Sequence, residues 1–185
     1  MDLFKERIRG IRDKVIAERF PELSALEIMI DIEENSDELL GYGELTRGGY
    51  YIDVDLEMEK ATDDELYGGL AHELAHIIMD EQKDDLIRLI TDFIYGLGIK
   101  YRKDDKKMNF MNRGINQFIY RRCYAYVIED ERRTDLLAVE KGAGNKLLTF
   151  LEFHDRHHEK YESDDGLTAS ELRQILYPTI GLVSE

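Results

Sequence analysis

The chain has 185 residues, of which 43% are hydrophobic and 35% are charged, and its formal net charge is −15. This length fits one domain, or one domain with a small appendage, and the composition is apolar enough for a sizeable core. The excess of acidic residues argues against a nucleic-acid partner, whose phosphates need a basic surface, and against binding to an anionic membrane.

Cysteine content and the N-terminus favour a cytoplasmic protein. Cys123 is the single cysteine, so an internal disulfide is excluded and a reducing compartment is expected. The first 15 residues, "MDLFKERIRGIRDKV", carry charges throughout and do not resemble a signal peptide. No stretch approaches the roughly 20 apolar residues that a membrane span requires.

The first 60 residues predict a helix followed by a small sheet. Residues 2–19 form an amphipathic pattern with one apolar side, which ends before Pro21. "LEIMIDIE" and "YYIDVDLE" alternate apolar and acidic residues, as half-buried strands do. "TRGG" indicates a turn, and "NSDELLGYGE" is either a loop or a weak strand. The apolar side of the first helix contains Leu3, Ile8, Ile11, Val15 and Ile16.

The rest of the chain predicts helices. Thr62 and Glu65 have the spacing of a capping box, which predicts a helix beginning near Asp63. Thr168 and Glu171 repeat this pattern before a last short helix that stops ahead of Pro178. The predicted fold class is therefore α+β, with a small, mostly antiparallel sheet followed by a largely helical C-terminal part. Further helices are predicted at about 84–95, 109–141 and 145–162.

The stretch "GGLAHELAHIIMD" contains two histidines at a metal-binding spacing. His72 and His76 are four residues apart, so a helix presents both imidazoles on one side. Glu73 lies beside the first histidine, where it can reach water on a shared ion but is angled away from ligation. This HExxH arrangement predicts two zinc ligands and a general base. The alternative is that both histidines form only core hydrogen bonds.

A third ligand is predicted downstream, in "YAYVIEDERRTDLLAVEKG". The metzincin pattern fails, because Met79 and Gln82 stand where it needs glycine and histidine. Glu131 and Asp135 share the apolar side of a predicted helix, where carboxylates are costly without positive partners. Glu131 is therefore the predicted third ligand, and Asp135 the acceptor for the outer N–H of a ligand histidine.

The flanking charged residues leave an alternative open. Glu129, Asp130 and Arg132 are predicted to point to the side, as a solvated helix face would. In the alternative, the whole segment "EDERR" is an ordinary run of surface charges.

Together "AHELAH" and "ERRTDLLAVE" resemble the gluzincin clan of zinc metallopeptidases. The nearer resemblance is to soluble relatives of the HtpX and CaaX prenyl protease families. Those families have a strand, then the motif "ELxxxxAHExxH", then "ExxxDxxA" in a later helix. In this chain the strand corresponds to "GYYIDVDLE", the first motif to "ELYGGLAHELAH" and the second to "ERRTDLLA". The match spans about residues 43–142, and the size is similar to that of the minigluzincins, which are latent. The "NAFA" edge-strand motif is missing, and the chain after residue 145 has no counterpart.

The resemblance implies one zincin-like metallopeptidase domain over residues 1–185. A helix and small sheet occupy 1–60, zinc-binding helices 61–142, and a helical tail 143–185. Zn²⁺ would be the cofactor, with Glu73 as the base. An extended peptide or protein substrate would add to a sheet edge, either Tyr42–Leu45 or Tyr50–Val54. The alternative function is a zinc-stabilised binding or regulatory module with little turnover; the oligomeric state stays open.

Two C-terminal features carry further hypotheses. His154, His157 and His158 could supply an oxyanion donor or a second metal site, and the alternative is a partly solvated helix face. Residues 178–185 could dock in or beside the cleft and keep the enzyme latent, because Ile180, Leu182 and Val183 would otherwise be exposed. The alternative is that this tail simply packs on the core.

Overall fold

The computed structural model describes residues 2–34, 36, 38–45, 47–84, 86–87, 89–91, 93–94, 115–157 and 166–178, with only the backbone described at 115–120. Helices pack against a small three-stranded sheet, so the predicted α+β fold class is confirmed. Short 3₁₀ helices lie at Pro21–Ala25 and Leu56–Lys60. The longer elements are α1 (Asp2–Arg19), β1 (Ile28–Glu33), β2 (Leu40–Glu44), β3 (Tyr50–Asp55), α2 (Asp63–Glu81), α3 (Ile115–Glu140), α4 (Gly144–His157) and α5 (Ala169–Leu176).

The sheet is mixed, and the prediction of a mostly antiparallel sheet is wrong in this detail. The strand order is β1-β3-β2, with β3 parallel to β1 and antiparallel to β2. A turn with positive φ at Gly48 and Gly49 joins β2 to β3, and β3 then lies between the other two strands. Since β3 is central, Tyr50–Val54 is not the sheet edge; among the described strands, β2 forms one edge.

Helix α1 confirms the predicted N-terminal helix and corrects one residue of its buried side. Phe4, Ile8, Ile11 and Val15 are buried, at steps of four, three and four residues. Leu3 was predicted on this side but is 90% exposed. The apolar stripe begins at Phe4 because the helical spacing places Phe4, and not Leu3, above Ile8.

Helix α2 is the central helix of the described structure. The predicted capping box is present: Thr62 Oγ1 accepts from the Glu65 N–H, and the Glu65 carboxylate accepts from the Thr62 N–H. The helix packs against α1, α3, α4 and β2. From Glu65 to Ile78 every residue is buried, which explains why its polar residues need specific partners.

Gly68 lets α2 and α4 approach closely, one turn before the first histidine of the motif. A Cβ atom at Gly68 would overlap the backbone carbonyl of Lys146 in α4. Backbone atoms cannot rotate away as a flexible side chain can. Gly68 therefore sets the separation of the two helices, and through it the position of the segment that follows.

Gly68→Ala is expected to destabilise the fold by about 1–3 kcal/mol or more, because the two helices must move apart. Gly10→Ala in α1 is the matched control, since a Cβ there meets nothing within 4 Å. Helix propensity predicts that this control stabilises the protein by up to about 1 kcal/mol. Urea unfolding measures both changes, and equal stability of the two variants would contradict the close helix contact.

The other predicted helices agree with the structure where it describes them. Residues 86–87, 89–91 and 93–94 have helical backbone, and α3 and α4 cover most of the predicted ranges 109–141 and 145–162. The Thr168–Glu171 capping box is present and α5 ends before Pro178. Residues 95–114, 158–165 and 179–185 lie outside the described residues, so the docking hypothesis for the tail stays a prediction.

None of the helices in the described ranges is both long and apolar enough to cross a membrane.

Candidate metal centre

Helices α2 and α3 bring together the three side chains that the sequence predicts as metal ligands. The Nε2 atoms of His72 and His76 are 3.1 Å apart. Glu131 Oε2 lies 3.1 Å from Nε2 of His76 and 3.3 Å from Nε2 of His72. These three atoms form a compact triangle of donors, and this group could hold a metal ion.

Both histidine rings are shielded from solvent, with exposed fractions of 7% for His72 and 5% for His76. Their ring planes are nearly perpendicular, at 83°. Both rings belong to the apolar helix α2. Each ring turns its Nε2 atom towards Glu131 and its Nδ1 atom away from it. The Nδ1 atoms therefore need acceptors on the far side.

Asp135 provides the acceptor for His72. The Nδ1–H of His72 donates to Asp135 Oδ1 at 2.8 Å, and Asp135 is fully buried. The second oxygen, Oδ2, accepts from the backbone N–H of Leu167 at 2.6 Å. With a proton fixed on Nδ1, the lone pair of Nε2 is available at the donor triangle. Asp135 lies where the sequence predicts it.

Thr134 provides the acceptor for His76, a role that the sequence patterns did not assign to it. Thr134 Oγ1 is 3.2 Å from His76 Nδ1 and donates its own proton to the Asp130 carbonyl at 3.0 Å. The hydroxyl oxygen can thus accept from Nδ1–H of His76. The signal was present in the sequence, because Thr134 follows Glu131 by three residues and so shares its helix side.

Asp135→Asn is expected to lower the affinity for a divalent metal ion about 10- to 100-fold, the usual cost of losing such a partner. The carboxylate accepts two N–H groups, whereas an amide has one oxygen and would turn its NH₂ towards the other donor. Chelator competition measures the affinity. Glu140→Gln, an exposed change at the end of α3, is the control, and equal affinity in both variants would contradict this role.

Glu73 is a buried carboxyl outside the donor triangle. It is 5% exposed and has no hydrogen-bond or ion-pair partner among the residues that the structure describes. Burial raises the pKa of Glu73 to about 7, although His72 and His76 nearby act in the opposite direction. A carboxyl group with this pKa can take up and release a proton near neutral pH.

The charges of His72, His76 and Glu131 influence one another's protonation. Burial disfavours charge on Glu131, but the attraction of His76 and His72 outweighs it and holds the pKa of Glu131 well below its usual value. Burial also opposes charge on His72, but Asp135 and Glu131 raise its pKa well above the usual value. A metal ion must therefore displace a proton, so metal binding should tighten as the pH rises.

Asp130 corrects the prediction of a solvated helix side. It is 5% exposed, and its Oδ2 lies 4.0 Å from Nζ of Lys83, which donates to Asp80 Oδ1 at 2.8 Å. The buried side of α3 is wider than its apolar stripe because Lys83, near the end of α2, brings a positive charge there. Glu129 is exposed, as predicted, and Arg132 is half-buried.

Tyr42 in β2 also contacts the centre, which the sequence did not reveal. Its ring stacks on the ring of His76, with centroids 4.9 Å apart and an interplanar angle of 15°. Its hydroxyl donates to Asp80 Oδ2 at 2.7 Å. Burial and the charge of Asp80 raise the pKa of Tyr42 far above its usual value, so the phenol keeps its proton.

The C-terminal histidines do not form a second metal site in the described part of the chain. His154 is half-buried, and His157 donates through Nδ1 to the Phe153 carbonyl of its own helix at 2.8 Å. Within the described residues, the ligand types that cluster closely enough for a metal ion are those of His72, His76 and Glu131. His158 lies outside those residues.

Comparisons with protein-family models, with curated proteins and with solved structures find no significant match to this chain. The resemblance to gluzincins therefore depends on the two motifs and stays a prediction.

Proposed function

We propose that this chain is a zinc-dependent metallopeptidase of the gluzincin type, in which Glu73 is the general base. One observation carries the proposal: a triangle of two imidazole nitrogens and one carboxylate oxygen adjoins a buried glutamate that has no described partner. Each of these groups has a separate task in water-mediated peptide hydrolysis. Helix α2 supplies the two histidines and Glu73, and helix α3, which is distant in sequence, supplies Glu131.

The spacing of the three donor atoms supports zinc. A tetrahedral zinc site has ligand bonds of about 2.0–2.1 Å, which separate neighbouring donor atoms by about 3.3–3.4 Å. The separations here are 3.1, 3.1 and 3.3 Å. Two neutral imidazoles and one carboxylate are also a donor set that catalytic zinc sites use. The residues therefore fit this ion without a large rearrangement.

The number of ligands favours catalysis over the alternative of a zinc-stabilised binding or regulatory module. Structural zinc sites are usually closed by four protein ligands, whereas catalytic sites keep one position for water or substrate. Among the described residues the centre offers three ligands. A purely structural site would also not require a buried base such as Glu73.

The proposed chemistry divides between the ion and the chain. Zinc bound here supplies a Lewis acid that makes water a nucleophile near neutral pH. Glu73 takes the proton of the attacking water and later returns it to the leaving amine. Asp135 and Thr134 hold the Nδ1 protons of the two histidines and so keep both Nε2 lone pairs directed to one point.

The substrate in this proposal is an extended peptide or protein segment that adds to β2. Among the described strands, β2 has a neighbour on one side only, and it lies against α2. An added strand forms backbone hydrogen bonds and needs little from side chains. The contact between Tyr42 and His76 supports β2 as the edge nearest the proposed centre.

The test is cleavage of a peptide library by the zinc-loaded protein, read by mass spectrometry. The full chain and a chain that lacks residues 179–185 are compared, so that a latent form is recognised. Cleavage that stops on chelation and returns with zinc supports the proposal. If both forms carry one zinc per chain and neither cuts any peptide, the peptidase proposal is wrong and the binding module replaces it.

A further inference from the structure

Tyr42 connects the sheet edge to the candidate metal centre. Its ring lies on the face of His76, and no other aromatic ring from the described strands is seen on a ligand histidine. We infer that Tyr42 is a positioning residue, which fixes the orientation of the His76 ring for metal binding and couples β2 to the metal centre. This inference rests on the proposed metal site, but it concerns a residue that the ligand motifs do not contain.

The His76 ring needs a contact on its face. Its Nδ1 is held by Thr134 Oγ1 at 3.2 Å, and the His72 ring meets it edge-on, with centroids 4.7 Å apart. Neither contact stacks parallel to the ring plane. The nearly parallel Tyr42 ring, at 15°, does so and limits rotation of the imidazole about its bond to Cβ.

Tyr42 can restrain His76 because both ends of its own side chain are held. Its backbone belongs to β2, where it pairs with Ile52 of β3. Its hydroxyl donates to Asp80 Oδ2 at 2.7 Å, and Asp80 Oδ1 accepts from Lys83 at 2.8 Å. Asp80 follows His76 by four residues, so the hydroxyl is attached to the same side of α2 as the ring that Tyr42 covers.

The same geometry gives β2 a direct effect on the centre. A shift of this strand moves the Tyr42 ring relative to α2, because the backbone and the hydroxyl are attached to different elements. A peptide that adds to the edge of β2 and shifts this strand would therefore change the orientation of the His76 ring through the Tyr42 side chain alone. Tyr42 acts in this way through the ligand and need not touch the substrate.

The variants separate the ring from the hydroxyl. Tyr42→Leu removes the stacked ring, and Tyr42→Phe keeps the ring but loses the hydrogen bond to Asp80. Tyr51→Leu is the matched control, because Tyr51 is a half-buried neighbour on β3 whose side chain lies over Gly43 instead of the histidines. Zinc affinity is measured by chelator competition, and the ligand geometry by the absorption bands of the cobalt(II)-substituted protein.

Tyr42→Leu is expected to weaken zinc binding about tenfold, the lower end of the cost for a supporting residue, and to shift the cobalt bands. Tyr42→Phe should keep the wild-type bands with a smaller loss of affinity, and Tyr51→Leu should match the wild type in both measurements. Tyr42→Gln, which also lacks the ring but can donate to Asp80, takes the place of Tyr42→Leu if that variant does not fold.

The outcomes distinguish this inference from the proposed function. If the wild type binds zinc and the variant without the ring shows the same affinity and the same cobalt bands, the positioning role is overturned while the metal site stands. The positioning role is also overturned if Tyr51→Leu changes both readouts as much as the Tyr42 variant does. If the wild type binds neither zinc nor cobalt, the proposed function itself is overturned.

Discussion

Glu73→Gln is expected to abolish peptide hydrolysis while the protein keeps its fold and one zinc per chain. The side chain lies outside the donor triangle, so the metal ligands are unchanged. Glutamine has nearly the same shape but cannot accept the proton of the attacking water. Loss of a general base costs about 10²- to 10⁴-fold in rate. Initial rates on the best library peptide measure the effect, and metal analysis of the same sample measures zinc content.

The control for Glu73 comes from the same measurements. The structure predicts that removing the charge of Glu73 does not destabilise the fold, because burial already disfavours that charge. Unfolding curves of the variant and the wild type should therefore be similar. A variant that holds zinc and cuts peptides at the wild-type rate would show that Glu73 is not the base.

Glu131→Gln is expected to weaken zinc binding by more than the roughly 10- to 100-fold that loss of a supporting residue costs, because Glu131 is a ligand itself. An amide oxygen carries only a partial negative charge, so it does not neutralise the ion and attracts it more weakly than a carboxylate does. In the wild type, His72 and His76 hold the pKa of Glu131 well below its usual value, so the carboxylate is ready for the metal. Chelator competition at a fixed pH measures the affinity.

Glu129→Gln is the matched control for Glu131, two residues earlier in α3. Glu129 is exposed, and its ion pair with Arg133 spans one helical turn at the surface. Such pairs contribute little to stability. The control should bind zinc as the wild type does. Equal affinity of the Glu131 variant and the wild type would remove Glu131 from the ligand set.

The candidate ligands could be predicted because helical spacing alone determines much of their geometry. His72 and His76 lie on one side of α2 in any straight helix, and an apolar stripe marks the side of α3 that contains Glu131 and Asp135. The pairing of these two helices follows from the motif resemblance and not from periodicity. Thr134 could have been predicted in the same way, since a residue three positions after the ligand Glu131 lies on the same side of the helix.

Contacts between distant elements could not be predicted in this way. The stacking of Tyr42 on His76 depends on which strand forms the edge beside α2, and strand order is set by the loops and by tertiary packing. The burial of Asp130 likewise depends on Lys83, which belongs to another part of the chain. Local patterns predicted the helices and their caps well, because capping boxes and apolar stripes act within a few residues.

Asp135 also sets a limit on how far the domain can be shortened. Its second oxygen accepts a hydrogen bond from the backbone N–H of Leu167, two residues before α5, so a main-chain group of the C-terminal part completes the hydrogen bonding behind His72. No substitution at position 167 other than proline removes that N–H, since every other residue carries it. A chain cut ahead of Leu167 would keep both motifs and still leave one buried carboxylate oxygen without its donor. The smallest unit that keeps this hydrogen bond therefore extends at least to Leu167, well beyond the segment in which the motifs are found.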